Sequence, residues 1–389
     1  MSRFVYADNA ATTKLSKASL GAMLPWLEEG YGNPSSVYQL GRTARRAIDS
    51  ARDRMAKAIG AKSEEIIFTG SGTEANNWAL RGLCAALSGK GRHVISSAIE
   101  HPAALRTLED LEKQGFSVTY LPVDTDGRVS AEALKKAIRP DTILITIMFA
   151  NNEIGTIQPI AEIGAIAREH GVLFHTDAVQ AVGHVPLDVE GMQIDLLSLS
   201  AHKFHGPKGV GALYIKKGIR LPAFITGGGQ EKGRRAGTEN VAGIVGMAKA
   251  LDDSVLHMDK DGAHVTALRD KLIAGLTKLP AVRLTGHPTE RLPGIASFVF
   301  ECIEGEALIL MLDAAGIAAS SGSACSSGAL DPSHVLLAIG LPHEVAHGSV
   351  RFSFSEETTE ADVDYMLEKI PPIVEKLRAM SPLWEEAAQ

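Results

Sequence analysis

The feature that most restricts the fold of this 389-residue chain is a repeated change of hydrophobic period from about Arg42 onward. Ala44, Ile48, Ala51, Met55 and Ile59 recur at helical spacing and stop at Gly60. Short apolar runs then follow at Ile66 to Phe68, His93 to Ser96, Val118 to Leu121, Ile143 to Phe149, Val172 to His175, Leu196 to Leu199 and Gly211 to Ile215, several of which read as buried strands. Helical patterns separate many of them. One runs from Ala103 to Gln114 and ends at Gly115; another runs from Ile160 to His170, with Pro159 at its start and Gly171 after it. Such alternation predicts an α/β fold, a mainly parallel sheet with helices on both faces. In open sheets of this kind, ligands gather at the carboxyl ends of the strands.

A glycine-rich, basic stretch from Gly227 to Asn240 precedes a long helical region from about Val241 to Leu279, and the domain border is placed there. This gives a large unit, 14–255, and a smaller α+β unit made of 1–13 and 256–389. The smaller unit holds Ile295 to Phe300, Ala307 to Ala315, Ser349 to Phe354 and a helix from about Glu360. With 45% hydrophobic residues the chain can build more than one core. A net charge of −7 without a long Lys/Arg run argues against nucleic acid or an anionic membrane as partner and favours a small-molecule substrate. The longest apolar stretch, around Ile143 to Ala150, is short of the about 20 residues that cross a bilayer, and the first residues lack a signal-peptide pattern. A cytoplasmic location is the expectation. Cys84, Cys302 and Cys325 lie far apart without CxxC or His-paired spacing, so neither a disulfide framework nor a metal site is expected.

Candidate chemistry sits at the ends of the apolar runs. Ile66 to Glu74 reads as strand, small-residue turn and a helix opening near Thr73, an arrangement that offers free amides to a phosphate. Read alone, it is also any Gly/Ser turn before a helix. His175-Thr176-Asp177-Ala178-Val179-Gln180 ends one strand, and Ser200-Ala201-His202-Lys203 ends the next strong one. An acid and a lysine there, with a phosphate-type turn, are the parts that pyridoxal phosphate needs: a carboxylate for the ring nitrogen, a Schiff-base lysine and a phosphate cup. An unremarkable Asp177 and a surface Lys203 remain open on this evidence. In Ser349 to Phe354, period-two alternation puts Val350, Phe352 and Phe354 on one face and Arg351 on the other, which fits a carboxylate clamp or a solvated arginine. Cys325 is flanked by small residues in a glycine-rich setting that suggests a mobile loop carrying a reactive thiol, whereas Cys84 and Cys302 are expected to be buried and inert. His205 is expected to be structural.

At these residues the chain resembles the cysteine desulfurases of the iron-sulfur-cluster and nitrogen-fixation type, within the class V aminotransferases of pyridoxal-phosphate fold type I. The resemblance spans almost the whole chain. It runs through Asp8-Asn9-Ala10-Ala11-Thr12-Thr13, Tyr31 to Ser36, Glu100-His101-Pro102, Ala150 to Thr156, both strand-end motifs and the segment from Gly227 to Asn240. Its most specific element is Ser320-Ser321-Gly322-Ser323-Ala324-Cys325-Ser326-Ser327-Gly328, similar to a long persulfide loop. The resemblance implies a large domain with a seven-stranded sheet and a smaller domain carrying the Cys325 loop. It implies that Lys203 holds the cofactor, Asp177 pairs with the ring nitrogen, His101 stacks on the ring and relays protons, and Gln180 bonds the phenolic oxygen. Gly72, Thr73, Ser200 and His202 would bind phosphate, and Thr238 would reach the phosphate of the neighbouring subunit in a homodimer. Asn152 and Arg351 would hold the carboxylate of L-cysteine. Cys325 would receive the sulfur as a persulfide and pass it to an acceptor such as an iron-sulfur scaffold. Ala201 departs from the glycine of many relatives, a mild change. A selenocysteine lyase or a transaminase on the same fold, and a sulfur-relay protein without turnover, are the rival readings. Cys325 weighs against a transaminase. The intact trio Lys203, Asp177 and Arg351 weighs against loss of turnover.

Overall fold

The structure is a computed structural model that describes residues 3–321 and 332–387. Its strands are β1 (Val5–Tyr6), β2 (Ile66–Thr69), β3 (His93–Ser97), β4 (Ser117–Leu121), β5 (Thr142–Thr146), β6 (Leu173–Asp177), β7 (Leu196–Ser200), β8 (Gly211–Ile215), β9 (Val282–Thr285), β10 (Ile295–Phe300), β11 (Ile317–Ala318) and β12 (Ser349–Ser353). The helices that matter below are α1 (Lys17–Glu28), α2 (Gln39–Ala58), α3 (Gly72–Leu87), α4 (Pro102–Lys113), α5 (Ala131–Ala137), α6 (Ile160–Glu169), α7 (Val241–Leu276), α8 (Gly305–Ala314) and α9 (His334–Ala338).

Seven strands form one sheet in the order β2-β8-β7-β6-β5-β3-β4, parallel throughout except for β8, which runs antiparallel to both its neighbours. The period-two geometry of a strand sends alternate side chains to opposite faces, and both faces are covered. Ile66, Phe68, Leu197, Leu199, Ala212 and Tyr214 join one core with residues of α2, α6 and the first part of α7. Ile67, Leu196, Leu213 and Ile215 join another with Trp78 and Leu83 of α3 and Leu108 of α4. A third core gathers Phe298 and Phe300 of β10, Phe352 of β12, Leu308 of α8 and the later part of α7 around the three-stranded sheet β12-β10-β9. α7 therefore contributes Ile244 to Leu251 to one core and Val265 to Leu276 to the other. Among the described residues no helix is long and apolar enough to cross a membrane.

The apolar runs locate all seven strands of the large sheet; Gly211 to Ile215 matches β8 at both ends, and the others shift by a residue or more at one end or both. The largest shift is at Ile143 to Phe149, where the ladder stops at Thr146 and the chain continues as buried loop. Hydrophobicity there reflects burial beyond the ladder. α3 opens at Gly72, capped by Ser71, and α4 opens at Pro102, capped by His101.

Antiparallel β8 has a consequence for the strand ends. Gly211 pairs with Thr69 on one side and Ser200 on the other, which sets the carboxyl ends of β2 and β7 either side of it. A methyl group on Gly211 would stand 2.7 Å from the Leu199 carbonyl oxygen and 2.8 Å from the Ser71 carbonyl carbon, both backbone atoms. Only glycine allows the turn before α3 to approach so closely. Gly211→Ala should therefore lower stability by about 1–3 kcal/mol. Chemical denaturation checks this, and an unchanged midpoint would show that the turn has room to move.

Candidate functional site

The carboxyl ends of the parallel strands gather the polar groups. Asp177 closes β6 and is buried; its Oδ2 accepts from the side-chain amide of Asn76 at 2.5 Å and its Oδ1 from the Val179 amide at 3.0 Å. Its orientation is thus fixed from two sides. Behind it, His175 is fully buried between the hydroxyls of Thr146 (2.8 Å) and Ser198 (3.0 Å), and burial pushes its imidazole down to about 3, so it is neutral.

α3 starts beside this acid. The Ser71 hydroxyl caps the Glu74 amide at 3.0 Å, leaving the amides of Gly72 and Thr73 as first-turn donors without partners inside the helix. A Cβ on Gly72 would lie 2.6 Å from Val179 Cγ2 and 3.3 Å from Ser200 Cβ, so it would fill the cradle between helix and strand ends. Ser200 is buried at the end of β7 and Thr73 is exposed. Arg235 pairs with Glu74 at 2.8 Å and anchors the glycine-rich segment to this helix, and Thr238 a few residues on is exposed. A helix N-terminus, a close-packed glycine and a fixed carboxylate together suit a ligand with a phosphate at one end and a protonated ring nitrogen at the other.

The N-terminal segment crosses these strand ends. Lys203 Nζ donates to the carbonyls of Ala10 (2.6 Å) and Ala11 (2.8 Å), and Gln180 Nε2 donates to the same Ala10 carbonyl at 2.9 Å. His202 Nδ1 lies 3.1 Å from the Thr12 hydroxyl, and burial followed by the charges of Lys203 and Lys208 holds its imidazole down at about 4. His205 accepts no solvent role: its Nδ1 lies 2.9 Å from the Lys14 carbonyl and its Nε2 3.1 Å from Glu356. Both contacts fit its expected structural part.

His101 enters from the β3 side. Its Nδ1 accepts from the Ala103 amide at 3.0 Å, capping α4, so in the neutral ring the proton sits on Nε2. Burial lowers its basicity, the Asp177 charge opposes that, and Lys203 lowers it further. Asp177 and Lys203 are therefore both within electrostatic reach of His101. Next to it Glu100 is buried, with Oε1 accepting from Ser97 (2.5 Å) and the Met148 amide (2.9 Å), while Oε2 has no partner among the described residues; burial pushes the carboxyl up to about 8.

Arg351 approaches from β12. It is buried, which removes the solvated-arginine alternative. Its guanidinium donates to the Asn152 carbonyl at 2.8 Å and to Asp8 Oδ1 at 2.8 Å. Asn152 is thus tied in by its backbone, with its side chain half-buried. Glu153, buried beside it, accepts from Ser333, and burial raises its carboxyl to about 7.

The cysteines divide differently from expectation. Cys84 is fully buried, and burial pushes its thiol up to about 12, so it is inert. Cys302 is only half-buried, in a left-handed turn with φ of 64° through which the chain leaves β10. Cys325 lies outside the described residues. Asp8, Asn76, Glu100 and Glu153 carry contacts that residue-by-residue reading assigned to none of them. Asp8, Glu100 and Glu153 stood within motifs; Asn76 carried no signal, being one polar residue on a helix.

Comparison with known proteins places this geometry. A model of the family described as "Aminotransferase class-V" matches residues 5–366. A protein of Methanosarcina thermophila named "Cysteine desulfurase IscS" is 57% identical over 379 residues, 97% of this chain and 94% of that protein. Among solved structures, one titled "NIFS-LIKE PROTEIN" is 40% identical with a TM-score of 0.92, covering 96% of this chain and 100% of its own. Another, titled "SspA in complex with cysteine", is 37% identical with a TM-score of 0.81, covering 91% of this chain and 100% of its own.

The buried carboxyl beside His101 makes stability depend on pH. Glu100 holds its proton up to about 8 in the folded chain, whereas an unfolded glutamate releases it near 4.3. Between those values the folded state binds more protons than the unfolded one, so this residue makes stability fall as pH rises through the window. Glu100→Gln removes that contribution while leaving every histidine in place. Its melting temperature should fall less than that of the wild type between about pH 5 and about pH 8. Equal slopes would show that Glu100 is ionised in the folded protein.

Proposed function

The chain belongs to the aminotransferase class-V family, and from that premise we propose that it is a pyridoxal-phosphate-dependent cysteine desulfurase, converting L-cysteine to L-alanine and taking the sulfur onto Cys325. The observation that carries this reading is the meeting of Asp177, Lys203, His101 and the amide cradle of α3 at one set of strand ends, with Arg351 of the third core tied to the same crossing segment through Asp8. The fold is type I, as in the NifS-like structures. The division into 14–255 and 1–13 with 256–389 belongs to the proposal and is supported by the separate cores that α7 joins.

Each side chain then has a task. Lys203 would hold the cofactor covalently, with its phosphate on Gly72, Thr73, Ser200 and His202 and its ring nitrogen on Asp177, and Gln180 beside the phenolic oxygen. When bound, the cofactor supplies an electron sink for the pair left at Cα. Asp177, locked by Asn76 and Val179, keeps a negative charge opposite the ring nitrogen. Arg351 and Asn152 orient the substrate by its carboxylate. The Lys203 amine removes the Cα proton as a general base. His101, with Nδ1 taken by the Ala103 amide, turns Nε2 to the site and would relay protons there, returning to the neutral ring after each transfer. The thiolate of Cys325 attacks the substrate sulfur: the new S–S bond forms as the Cβ–S bond breaks, its electron pair stays with the carbon fragment, and protonation there gives alanine. The persulfide then passes to an acceptor such as an iron-sulfur scaffold.

A homodimer belongs to the same reading. α1 and the segment after it expose Leu20, Leu24, Leu27, Tyr31, Val37 and Tyr38, an apolar surface suited to a partner, and exposed Thr238 would reach the partner's phosphate. A cytoplasmic location suits it too, since the sulfur carrier must be a free thiol.

Two variants should fail in different ways. Lys203→Ala should release no alanine. Cys325→Ser should still change its spectrum when L-cysteine is added, yet release alanine at least about a hundredfold more slowly, because a hydroxyl is a poor nucleophile toward sulfur. Spectra and an alanine assay on both decide the matter. Wild-type turnover by Lys203→Ala refutes the proposal, and normal turnover by Cys325→Ser would point to a lyase in place of a sulfur-accepting desulfurase.

A further inference from the structure

Arg351 meets the site with a guanidinium that is buried and only partly satisfied. Its side chain is 4% exposed and that of Asp8 is 21% exposed. One terminal nitrogen donates to the Asn152 carbonyl and the other, Nη2, to Asp8 Oδ1, both at 2.8 Å, while Nε is buried without a partner among the described residues. Nε and Nη2 lie on the same edge of the planar group and are the pair that can grip a carboxylate through two parallel bonds. Asp8 thus takes one prong of that edge and leaves the other unpaired.

The backbones that carry the two side chains are pinned. Arg351 exchanges hydrogen bonds with Ser320, and its strand β12 pairs with β10. Asp8 bridges to Ser353, and Ser353 donates to the Ala7 carbonyl at 2.7 Å. Any exchange of partners at the guanidinium is therefore a movement of side chains, with both backbones held. Two residues further on, the Ala10 carbonyl holds Lys203 and Gln180, so the same segment touches both ends of the site.

We propose that Asp8 is an internal stand-in for the substrate carboxylate, neutralising Arg351 in the free enzyme and yielding the Nε–Nη2 edge when an amino acid binds. This rests on the reading of the site as one for L-cysteine and makes Asp8 a determinant of substrate affinity. A carboxylate that arrives with Asp8 still in place meets a like charge beside a guanidinium already paired. With Asp8 removed, Arg351 is left buried without its counter-ion until a carboxylate binds.

The test is Asp8→Asn, with Asp8→Ala as a second variant, made as holoenzymes. KM for L-cysteine and kcat are measured, together with the rise in melting temperature caused by propionate, a monocarboxylate that does not react. KM should fall about three- to tenfold, with kcat changing less. Without propionate the variants should melt below the wild type, and propionate should raise their melting temperature by more than it raises that of the wild type. Arg351→Gln should lose the propionate effect. A raised KM would mean that Asp8 positions Arg351 and does not compete, which overturns the proposal; so would an equal propionate effect in wild type and variants, or one that survives Arg351→Gln. Failure of the desulfurase reading would appear separately, as a wild type that releases no alanine, because the propionate arms need no turnover.

Discussion

The site depends on one crossing segment, Asp8 to Thr13, that ties together groups delivered by three distant parts of the chain. Its carbonyls at Ala10 and Ala11 take the ammonium of Lys203, and Ala10 also takes Gln180. Thr12 and Thr13 contact His202, with the Thr13 amide donating to the His202 carbonyl at 2.9 Å. Asp8 takes Arg351, and Ala10 and Asn9 bond to Ser353 at the end of β12. The segment therefore sets the distance between the sheet that carries the lysine and the sheet that carries the arginine. Hydrogen bonds to a charged donor are stronger than neutral ones, and here they are partly buried, so the crossing is a firm one.

Around that crossing, burial sorts the titratable groups into charged and neutral ones. His175 and His202 are driven neutral, His101 is lowered, and Glu100 is pushed upward. At the site the side chains of Asp177, Lys203, Asp8 and Arg351 are each hydrogen-bonded to a fixed partner. The arrangement resembles other sites in which neighbouring environments drive titratable groups apart.

Much of the fold was legible because hydrophobic period reports burial directly. The runs at Gly211 to Ile215 and Ile295 to Phe300 coincide with β8 and β10 residue for residue. Asp177 and Lys203 were legible for a topological reason, since both follow apolar runs and parallel strands present their carboxyl ends together. The antiparallel sense of β8 was not, because a strand's period is the same in either direction. Nor was the role of Asp8: its partner is 343 residues away, and long-range pairing leaves no local pattern. Asn76 stayed hidden for the same reason, its bond to Asp177 crossing from helix to sheet. Cys302 misled because adjacency to a strand says nothing of the turn that follows it.

The central claim is that one sulfur atom moves from L-cysteine to Cys325 for each alanine released. The most direct measurement is a single-turnover incubation of the wild-type holoenzyme with L-cysteine, followed by mass mapping of the three cysteine peptides and quantitation of alanine. The account predicts a gain of about 32 Da on the Cys325 peptide, in step with alanine, and none on the Cys84 or Cys302 peptides. Alanine without added mass on Cys325, or the added mass on Cys302, would contradict it.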